Sequence, residues 1–353
     1  MDLNYSKLLN RKPILTDLNL IKDFIKGKRI LVTGGAGSIG SEIVRQLVNF
    51  SASSVTVFDN AEASMFHLEQ QISHTNPNSH IKYVIGDVRD KYRLEEVFDS
   101  FKPNIVFHAA AYKHVPMMEA NPIEAIKTNV LGTINVSNIS YMNEVDKFIM
   151  VSTDKAVNPT NIMGATKRIA ELYTQFLETK SSTNFIVTRF GNVLGSEGSV
   201  IPTFIKQIER GGPVSVTHKE VIRYFMTIPE ACQLVLQASV LGDGGEIFLF
   251  DMGEPVSITD LAKNLIKHFK SKAKIKYIGL RPGEKLYEEL LCNGENMITT
   301  KDHNIWSLNH EDYDFKTLIP KIEKLSKIRS NDFYKIILLV KSIVPEFKRE
   351  SNE

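Results

Sequence analysis

The stretch RILVTGGAGSIGSEIVRQLV, residues 29–48, decides the fold of this chain. A short apolar run suited to a buried strand leads into a glycine-rich turn, and from Ile39 apolar residues recur at every fourth position, as on one face of a helix. Gly34, Gly37 and Gly40 form the pattern G-x-x-G-x-x-G. Such glycines permit a tight turn, a close approach of pyrophosphate to the backbone, and close packing of helix on strand. The stretch therefore predicts a dinucleotide-binding loop.

A carboxylate after the second predicted strand supports this interpretation. Asp59 lies 19 residues beyond Gly40, where a carboxylate accepts hydrogen bonds from an adenosine ribose and repels a 2′-phosphate. The residues that follow it include no lysine or arginine to bind such a phosphate. We therefore expect NAD rather than NADP. The other residues expected around the dinucleotide are Ser38, Ile39, Asn60, Asp87, Val88, Ala109, Ala110 and Ala111.

Apolar runs alternate with amphipathic stretches along the first two thirds of the chain. Strands are predicted at residues 29–33, 54–59, 81–87, 105–108, 147–153, 184–190 and 246–251. Alternating strands and helices with short, continuously apolar strands are typical of a parallel sheet with helices on both faces. The predicted fold class is α/β, a Rossmann-type doubly wound parallel sheet with a smaller C-terminal substrate-binding domain.

The regular alternation fails between residue 191 and about residue 230, and again after residue 251. These parts mix loops, a short strand within residues 274–280, and a helix whose start is marked by Ser257 and Asp260. We expect them to form a small domain over the carboxyl edge of the sheet, where ligands of such folds bind. The predicted organisation is a lead-in, a Rossmann domain in two pieces, and a substrate-binding domain in two pieces, at residues 1–26, 27–190 with 228–251, and 191–227 with 252–353.

Composition bounds the class of protein. The chain has 353 residues, 42% hydrophobic and 24% charged, with a net charge of +2, which is typical of a soluble globular protein and gives no case for nucleic acid or an anionic membrane. Cys232 and Cys292 lie in unrelated contexts, so we expect no disulfide and no metal site. The chain shows no signal peptide and no apolar run of membrane-spanning length. We expect a cytoplasmic protein.

The stretch VSTDKAVNPTNIMGATKR, residues 151–168, carries the candidate catalytic groups. Thr153, Asp154 and Lys155 follow the fifth predicted strand, and Lys167 lies four residues after Met163, on the same helix face. Many nicotinamide enzymes have tyrosine four residues before that lysine, and methionine cannot carry a proton. Either the site is inactive or neighbouring groups do the chemistry. Taken alone, the Asp-Lys pair is as compatible with a helix-capping carboxylate followed by a surface lysine as with a catalytic pair. Met163 alone is compatible with a core position.

Five motifs together resemble a known family: TGGAGSIG, HAAAYKHVP, STDKAVNPTNIMGATK, RFGNVLGSEGSVIPTF and RPGEKLYEELL. They resemble the extended short-chain dehydrogenase/reductases, and within them the UDP-N-acetylglucosamine 4,6-dehydratases of bacterial polysaccharide and glycoprotein-sugar synthesis. The resemblance covers residues 27–291 and is nearest to the soluble catalytic portion of membrane-anchored dehydratases that have methionine in place of tyrosine. The resemblance implies that this chain is either a naturally soluble version of such a dehydratase or an excised domain of one.

The resemblance also implies roles for the candidate catalytic residues. Asp154 is expected to be the acid for the C6 hydroxyl of the hexose, Lys155 the base at C5, and Thr153 the group that holds the C4 oxygen. Burial beside a cationic nicotinamide is expected to lower the pKa of Lys155 enough for a base. Lys167 is expected to bind the nicotinamide ribose. Because Met163 cannot accept the C4 proton, we expect Asp154 to accept it, directly or through Thr153 or a water.

The expected substrate is a UDP-sugar, whose two phosphates require cations and amide donors. Residues expected around it are Lys113, His114, Asn192, Arg223, Arg281 and Glu284. His108 follows an apolar run and is expected to be a packed strand-end residue rather than a catalyst. Trp306 and the lysine-rich C-terminal helices carry no chemistry that the sequence reveals.

Several alternatives stay open at this stage. A nucleotide-sugar 4-epimerase shares the fold and the first hydride step, although it needs no acid and base at C6 and C5. A non-catalytic dinucleotide-binding sensor is a second alternative. The configuration at C5 of the product is expected to be retained, and another UDP-hexose is possible as the substrate. Self-association as a homo-oligomer is expected through the two long helices that follow Asn121 and Ile162.

Overall fold

The computed structural model describes residues 14, 16–291, 295–308, 313–329 and 332–349. Its strands are β1 to β15, in chain order Arg29–Thr33, Ser54–Asp59, Ile81–Ile85, Ile105–His108, Lys147–Val151, Asn184–Arg189, Asn192–Leu194, Val214–Val216, Ile222–Arg223, Phe225–Thr227, Ile247–Phe250, Val256–Ser257, Ile275–Tyr277, Met297–Thr299 and Ile305–Leu308. Its α-helices are α1 to α13, in chain order Leu18–Ile25, Ser38–Asn49, Glu62–Thr75, Lys91–Phe101, Val115–Ala120, Pro122–Ala125, Gly132–Met142, Ile162–Glu178, Val200–Glu209, Ile228–Leu241, Ile258–His268, Phe315–Ser326 and Phe333–Ile343. A π-helical segment, Ile126–Leu131, joins α6 to α7, and a short 3₁₀ turn, Asp154–Ala156, follows β5.

A nine-stranded sheet forms the centre of the molecule, in the order β14-β15-β11-β6-β5-β4-β1-β2-β3. The seven strands from β11 to β3 run parallel, and β15 and β14 add an antiparallel edge. Chain order reverses between β1 and β4, so the two crossovers leave a crevice at the carboxyl ends of these strands. The predicted Rossmann-type α/β fold is confirmed.

All seven predicted strands are present, and several of them end earlier than predicted. β3 ends at Ile85 rather than residue 87, β5 at Val151 rather than residue 153, and β6 at Arg189 rather than residue 190. Beyond β3 and β5, the polar residues Asp87 and Thr153 lie outside the sheet, whereas Phe190 beyond β6 packs in the core. The helix predicted from Ser257 is α11, and the Ser257 hydroxyl accepts a hydrogen bond from the Asp260 amide.

A second, smaller layer covers the crevice. It contains the two-stranded pairs β7–β10, β9–β12 and β8–β13 together with α9 and α11, and has its own apolar core around Ile201, Phe204 and Leu265. The C-terminal segment is divided between the layers, because β14 and β15 belong to the large sheet. The division into domains at the residues given above stays a prediction.

The helix pair α12 and α13 covers the surface on which we expected another protomer to pack. α12 lies against α8 and the π-helical segment, and buried residues from the pair, among them Ile322 and Val340, belong to the same apolar core as Ile162. In α8, 15 of 17 residues are buried. This helix therefore has little exposed surface of its own, and self-association through the two helices that follow Asn121 and Ile162 stays a prediction.

The structure also bears on the expectations about the cysteines and about membrane-spanning segments. Cys232 is a buried free thiol in α10, and Cys292 lies outside the described residues. Among the residues that the structure describes, no helix is both long enough and apolar enough to cross a membrane.

Candidate active site

The glycine-rich turn after β1 has almost no space for side chains. At Gly34, where φ is +65°, an added Cβ would lie 2.5 Å from the Ala110 nitrogen. At Gly40 it would lie 2.1 Å from the Gly34 carbonyl oxygen, so helix α2 can pack closely against the turn. The Gly37 residue that precedes α2 provides no side-chain cap. The first amides of α2 are therefore left for an anion, as a pyrophosphate site requires.

This turn opens into a cleft of about 710 Å³. The predicted dinucleotide residues that line it are Gly34, Gly37, Ser38, Ile39, Gly40, Ala109 and Ala111, and the predicted catalytic residues that line it are Thr153, Lys155, Met163 and Lys167. A helix N-terminus at one end and polar strand ends at the other match the shape and charge of a nicotinamide dinucleotide. The residues present fit this cofactor.

The predicted adenine-end residues lie beside the cleft. Asp59 accepts hydrogen bonds from the Ala36 and Ala61 amides, both at 2.9 Å, so its carboxylate also fixes the glycine-rich turn. Asp87 accepts from Asn60 at 3.0 Å and pairs with Arg89 at 2.6 Å. Burial raises the pKa of Asp87, but the hydrogen bonds from Arg89 and Asn60 outweigh it, and the net pKa is lowered.

Val88 and Ala110 complete the predicted set around the dinucleotide. Val88 is buried, and its side chain fills the space beside Gly132. Ala110 approaches Gly34 through its backbone. Neither of these two residues lines the cleft, so each supports its wall from behind.

Asp154 is the centre of the candidate catalytic group. It is 1% exposed, and its Oδ1 accepts hydrogen bonds from Thr153 Oγ1 at 2.8 Å and from Lys155 Nζ at 3.0 Å. Its Oδ2 is buried and has no hydrogen-bond partner among the described residues. This oxygen lies near Gly191, where any Cβ would come within 3.2 Å of it. A buried carboxylate oxygen without a partner is costly unless a ligand supplies one.

Lys155 lies where the first cleft meets a second one. Its Nζ contacts Asp154 Oδ1, Asn192 Oδ1 at 3.1 Å and Glu288 Oε1 at 3.5 Å. Burial lowers the pKa of Lys155, but the carboxylates of Asp154 and Glu288 more than offset it, and the net pKa is raised. The expectation of a lowered pKa is therefore wrong for this arrangement. That expectation took account of burial beside a cationic nicotinamide. It did not include the carboxylates of Asp154 and of Glu288, which comes from the covering layer.

Lys167 and Met163 project from α8 into the same cleft. The Lys167 ammonium donates to the Val151 carbonyl at 2.8 Å, and burial lowers its pKa to about 8, against an opposing effect of Glu171. Met163 is 3% exposed and belongs to the main apolar core as well as to the cleft wall. At this position the structure therefore has a packed thioether in the same cleft as a lysine whose pKa is lowered.

His108 is a packed strand-end residue, as predicted. It is fully buried between Thr33 and Thr133, at 2.7 Å and 3.0 Å from their hydroxyls. The Thr133 hydroxyl donates to the Asn129 carbonyl, so it must accept from Nε2, and Nδ1 then accepts from Thr33. Burial, together with the charge of Lys167, lowers the pKa of His108 to about 3. The ring stays neutral at physiological pH.

The second cleft, of about 300 Å³, extends from the first under the covering layer. Both clefts share Lys155 and Asn192, and the second also contains the predicted substrate residues Arg223, Arg281 and Glu284. Arg281 is exposed at its rim.

Two of these substrate residues are already engaged. The Arg223 guanidinium donates to the backbone carbonyls of Ile222, Lys285 and Leu286, at 2.7 to 2.9 Å. The Glu284 carboxylate accepts from Thr217 Oγ1 at 3.1 Å. Both residues therefore hold the wall of the second cleft in shape.

Lys113 and His114 lie in the first cleft beneath the loop 195–199. At Gly198, where φ is +69°, an added Cβ would lie 2.5 Å from His114 Cε1, so the loop rests directly on this ring. Burial lowers the pKa of Lys113, against an opposing effect of Glu197, and burial together with Lys113 lowers the pKa of His114. The structure thus brings these residues to the cofactor cleft rather than to the second one.

Three residues of the site escaped the sequence analysis. Glu288 is 5% exposed on its side chain and lies in the quoted RPGEKLYEELL motif, four residues after Glu284, where a carboxylate at helix-like spacing could have attracted attention. Tyr112 lines the cleft, so a phenol is present there after all, within electrostatic range of Arg89. Asn129, in the π-helical segment, bonds both the amide and the carbonyl of Tyr112. No local pattern marks it.

A buried ion network lies behind the catalytic strands. Arg189 donates to Glu171 at 2.6 and 2.9 Å and to Glu295 at 2.9 and 3.0 Å. Glu171 also accepts from Ser152 at 2.5 Å, directly before Thr153. The network thus joins β6, α8 and the strand end that carries the candidate catalytic group.

Comparison with known proteins identifies the family. Residues 30–310 match the family of polysaccharide biosynthesis proteins. The chain belongs to this family. It is an extended short-chain dehydrogenase/reductase of the dehydratase and epimerase type, which confirms the resemblance drawn from the motifs.

Three relatives show the range of this family. The capsular polysaccharide biosynthesis protein CapD of Staphylococcus aureus is 56% identical over 82% of this chain and 49% of its own length, so the chain spans about half of that relative. A UDP-glucose 4-epimerase of Rickettsia rickettsii is 39% identical, over 76% of this chain and 79% of that protein. An inverting UDP-N-acetylglucosamine 4,6-dehydratase of Campylobacter jejuni is 37% identical, over 80% and 83%.

A solved structure agrees with the fold. The X-ray structure of Pen from Bacillus thuringiensis superposes with a TM-score of 0.76 at 37% sequence identity. The match covers 80% of this chain and 90% of that one.

Proposed function

We propose that this chain dehydrates UDP-N-acetylglucosamine to UDP-2-acetamido-2,6-dideoxy-4-hexulose and so feeds the synthesis of surface glycans or glycoprotein sugars. The observation that carries the proposal is the group at the carboxyl end of β5: Thr153 lines the first cleft, Lys155 lines both clefts, and the buried Asp154 accepts a hydrogen bond from each of them. An acid and a base side by side, between a dinucleotide-shaped cleft and a cation-rimmed one, suit a reaction that removes water from a sugar.

NAD is the proposed cofactor. When bound, it takes a hydride from C4 of the hexose and returns one to C6, so no net oxidant is needed. Asp59 lies where a ribose hydroxyl is expected, and a 2′-phosphate has no cation to meet it at residues 60–62. The nearby Arg89 is held by Asp87 and Glu124, at 2.6 and 2.8 Å. These contacts favour NAD over NADP.

The second cleft is proposed to hold the UDP portion of the substrate. Arg281 is exposed at its rim, where a guanidinium can pair with phosphate, and Asn192 offers an amide at the junction. Arg223 and Glu284 keep the wall of this cleft in shape through their bonds to the backbone and to Thr217. The relatives that act on UDP-sugars support this choice of ligand.

Asp154 is proposed to serve twice. Its Oδ1 accepts a hydrogen bond from the Thr153 hydroxyl, which provides a path for the proton of the C4 hydroxyl. The resulting carboxylic acid then protonates the C6 hydroxyl, which leaves as water. Its second oxygen is buried without a hydrogen-bond partner among the described residues, so it keeps unused capacity to accept or hold a proton. Lys155 removes the proton from C5, and return of that proton from the same face retains the configuration.

A 4-epimerase is the second candidate, favoured by the Rickettsia relative. Epimerisation leaves the mass of the nucleotide sugar unchanged, whereas dehydration removes one water. Chromatography that separates epimers, followed by mass spectrometry, of UDP-N-acetylglucosamine and UDP-glucose incubated separately with the protein distinguishes the two. We expect loss of one water from the first sugar. An isomer of unchanged mass supports the epimerase, and no conversion of either sugar even with added NAD contradicts both enzyme activities and favours the non-catalytic sensor.

A further inference from the structure

Glu288 is a buried carboxylate of the covering layer that faces the catalytic lysine. Its side chain is 5% exposed, and Oε1 lies 3.5 Å from Lys155 Nζ and 3.6 Å from Arg223 Nε. The next residue, Glu289, is half exposed and instead contacts Lys285 and Asn158. Only the first of these adjacent carboxylates therefore reaches the junction of the two clefts.

Proton accounting for the proposed dehydration, on which this inference rests, leaves one acceptor unassigned. Lys155 is held as an ammonium by its neighbours, and it must lose a proton before it can take one from C5. Asp154, its nearest neighbour at 3.0 Å, already carries the proton of the C4 hydroxyl at that stage. The amide oxygen of Asn192 hydrogen-bonds the ammonium but is far too weak a base to deprotonate it.

We propose that Glu288 accepts the ammonium proton of Lys155 during turnover and returns it when the product is complete. One N–H bond at Nζ breaks, and one O–H bond forms at Oε1 of Glu288. The neutral amine then takes the C5 proton while protonated Asp154 gives its proton to the departing C6 hydroxyl. Lys155 later returns the C5 proton to the sugar, and Glu288 returns its own to Lys155. The cycle therefore closes with no net uptake or release of a proton.

The charges around the pair change in the direction that this transfer needs. Lys155 faces Asp154, Glu288 and Arg223, and Glu288 faces Lys155 and Arg223. When Asp154 takes up the C4 proton, one of the two negative charges that hold the ammonium disappears. The positive charge of Arg223 lies 3.6 Å from Glu288, and a substrate diphosphate bound nearby would offset that charge together with Glu284, which is 3.6 Å from Arg223. The gap of 3.5 Å has to close by a small movement, as often happens on substrate binding.

Single-turnover rates of dehydration, measured against pH, test the proposal. The wild-type rate should be flat between about pH 6 and about pH 7.5, because the pair keeps its proton. Glu288→Gln should lower the rate at neutral pH by about 10²- to 10⁴-fold. It should also make the rate rise about tenfold per pH unit, since Lys155 then has to release its proton to water. Glu289→Gln is the matched control and should behave as wild type.

The outcomes separate this role from a structural one. Glu288→Asp keeps the carboxylate, so it should restore the flat profile at a reduced rate, and a slope in that variant overturns the proposal even if Glu288→Gln fails to fold. Calorimetric affinity for UDP checks that the second cleft is intact. A slower Glu288→Gln protein whose pH profile parallels wild type also overturns the inference, with the proposed function untouched. An inactive wild-type protein contradicts the proposed function itself.

Discussion

Met163 is the residue that most sharply distinguishes this site from others of its fold. The thioether packs in the core and lines the cleft, and it can neither give nor take a proton. Groups able to do so nearby include Asp154, whose Oδ2 has no hydrogen-bond partner among the described residues, Lys167, whose pKa is lowered to about 8, and Tyr112, which lines the cleft. The geometry therefore favours a transfer of the role usually held by tyrosine to the end of β5.

Asp154→Asn should stop the reaction at its first step. The amide keeps the size of the side chain and an oxygen for Thr153 and Lys155, but it cannot accept the C4 proton. We expect the rate at which substrate reduces the bound cofactor, followed by near-ultraviolet absorbance, to fall by about 10²- to 10⁴-fold. Met163→Ala and Tyr112→Phe should keep substantial activity. Rapid reduction in Asp154→Asn, or a loss of equal size in Tyr112→Phe, contradicts this assignment.

The lowered pKa of Lys167 predicts how stability depends on pH. Its pKa is about 8 in the folded chain and about 10.5 unfolded, so between these values the unfolded chain binds the extra proton. Stability from this group therefore rises with pH across that window. Relative to Lys167→Met, the unfolding free energy of wild type should increase by about 1 kcal/mol from about pH 7 to about pH 9. A difference that stays constant in denaturant titrations contradicts the lowered pKa.

Single residues also mark the limit of sequence analysis at this site. Asp154, Lys155 and Lys167 could be identified because they follow a strand end or share a helix face, which are local patterns. The raised pKa of Lys155 could not be foreseen, since it depends on Glu288, more than a hundred positions away and brought close by the covering layer. Local spacing predicts which groups are present and does not predict their electrostatic environment.

At the scale of the element, two glycines of the glycine-rich turn have different roles. Gly40 allows helix α2 to pack on the turn, and Gly37 allows the pyrophosphate to approach the backbone. Gly40→Ala places a Cβ 2.1 Å from a backbone oxygen, so the turn or α2 has to move. We expect a destabilisation of about 1–3 kcal/mol, typical of overpacking. Gly37→Ala meets its nearest atom only at 3.3 Å, and should fold normally while weakening cofactor binding where the pyrophosphate approaches. Thermal unfolding and the nucleotide content of purified protein measure the two effects. Equal stabilities would contradict the packing argument.

Elements with strong periodicity were the ones that the sequence predicted well. The central strands are continuously apolar because both faces are covered, and each was identified, with errors of one or two residues where polar residues leave the sheet. The pairs β7–β10 and β9–β12 were not predicted, since two or three residues carry no readable pattern. The covering of α8 by α12 was also missed, because an apolar face on a helix does not reveal which element fills it.

At the scale of the whole molecule, the buried ion network ties distant parts of the chain to the site. Arg189→Leu removes one cation from two buried carboxylates, Glu171 and Glu295, and leaves them to share Arg168. We expect a loss of about 3–5 kcal/mol in unfolding free energy, since two buried negative charges then face a single buried cation. Lys28→Ala breaks an exposed pair with Asp146 and should cost less than about 1 kcal/mol. Comparable losses in the two variants contradict a structural role for the network.

The oligomeric state is also a property of the whole molecule. The helix face expected to bind another protomer is filled by α12, so self-association through it would require displacement of the C-terminal helices. The long helix expected after Ile162 is present as α8. The sequence could not show that a segment 150 residues later covers it, because long-range packing has no local signature.

The central claim is that this chain moves a hydride from C4 to C6 of one nucleotide sugar and removes water between the two transfers. UDP-N-acetylglucosamine carrying deuterium at C4 tests it most directly, with the product observed by NMR and no cofactor added beyond what the protein retains. We expect the label in a new C6 methyl group. Complete recovery of the substrate, or formation of an epimer, with deuterium still at C4 and none in a methyl group would contradict the transfer.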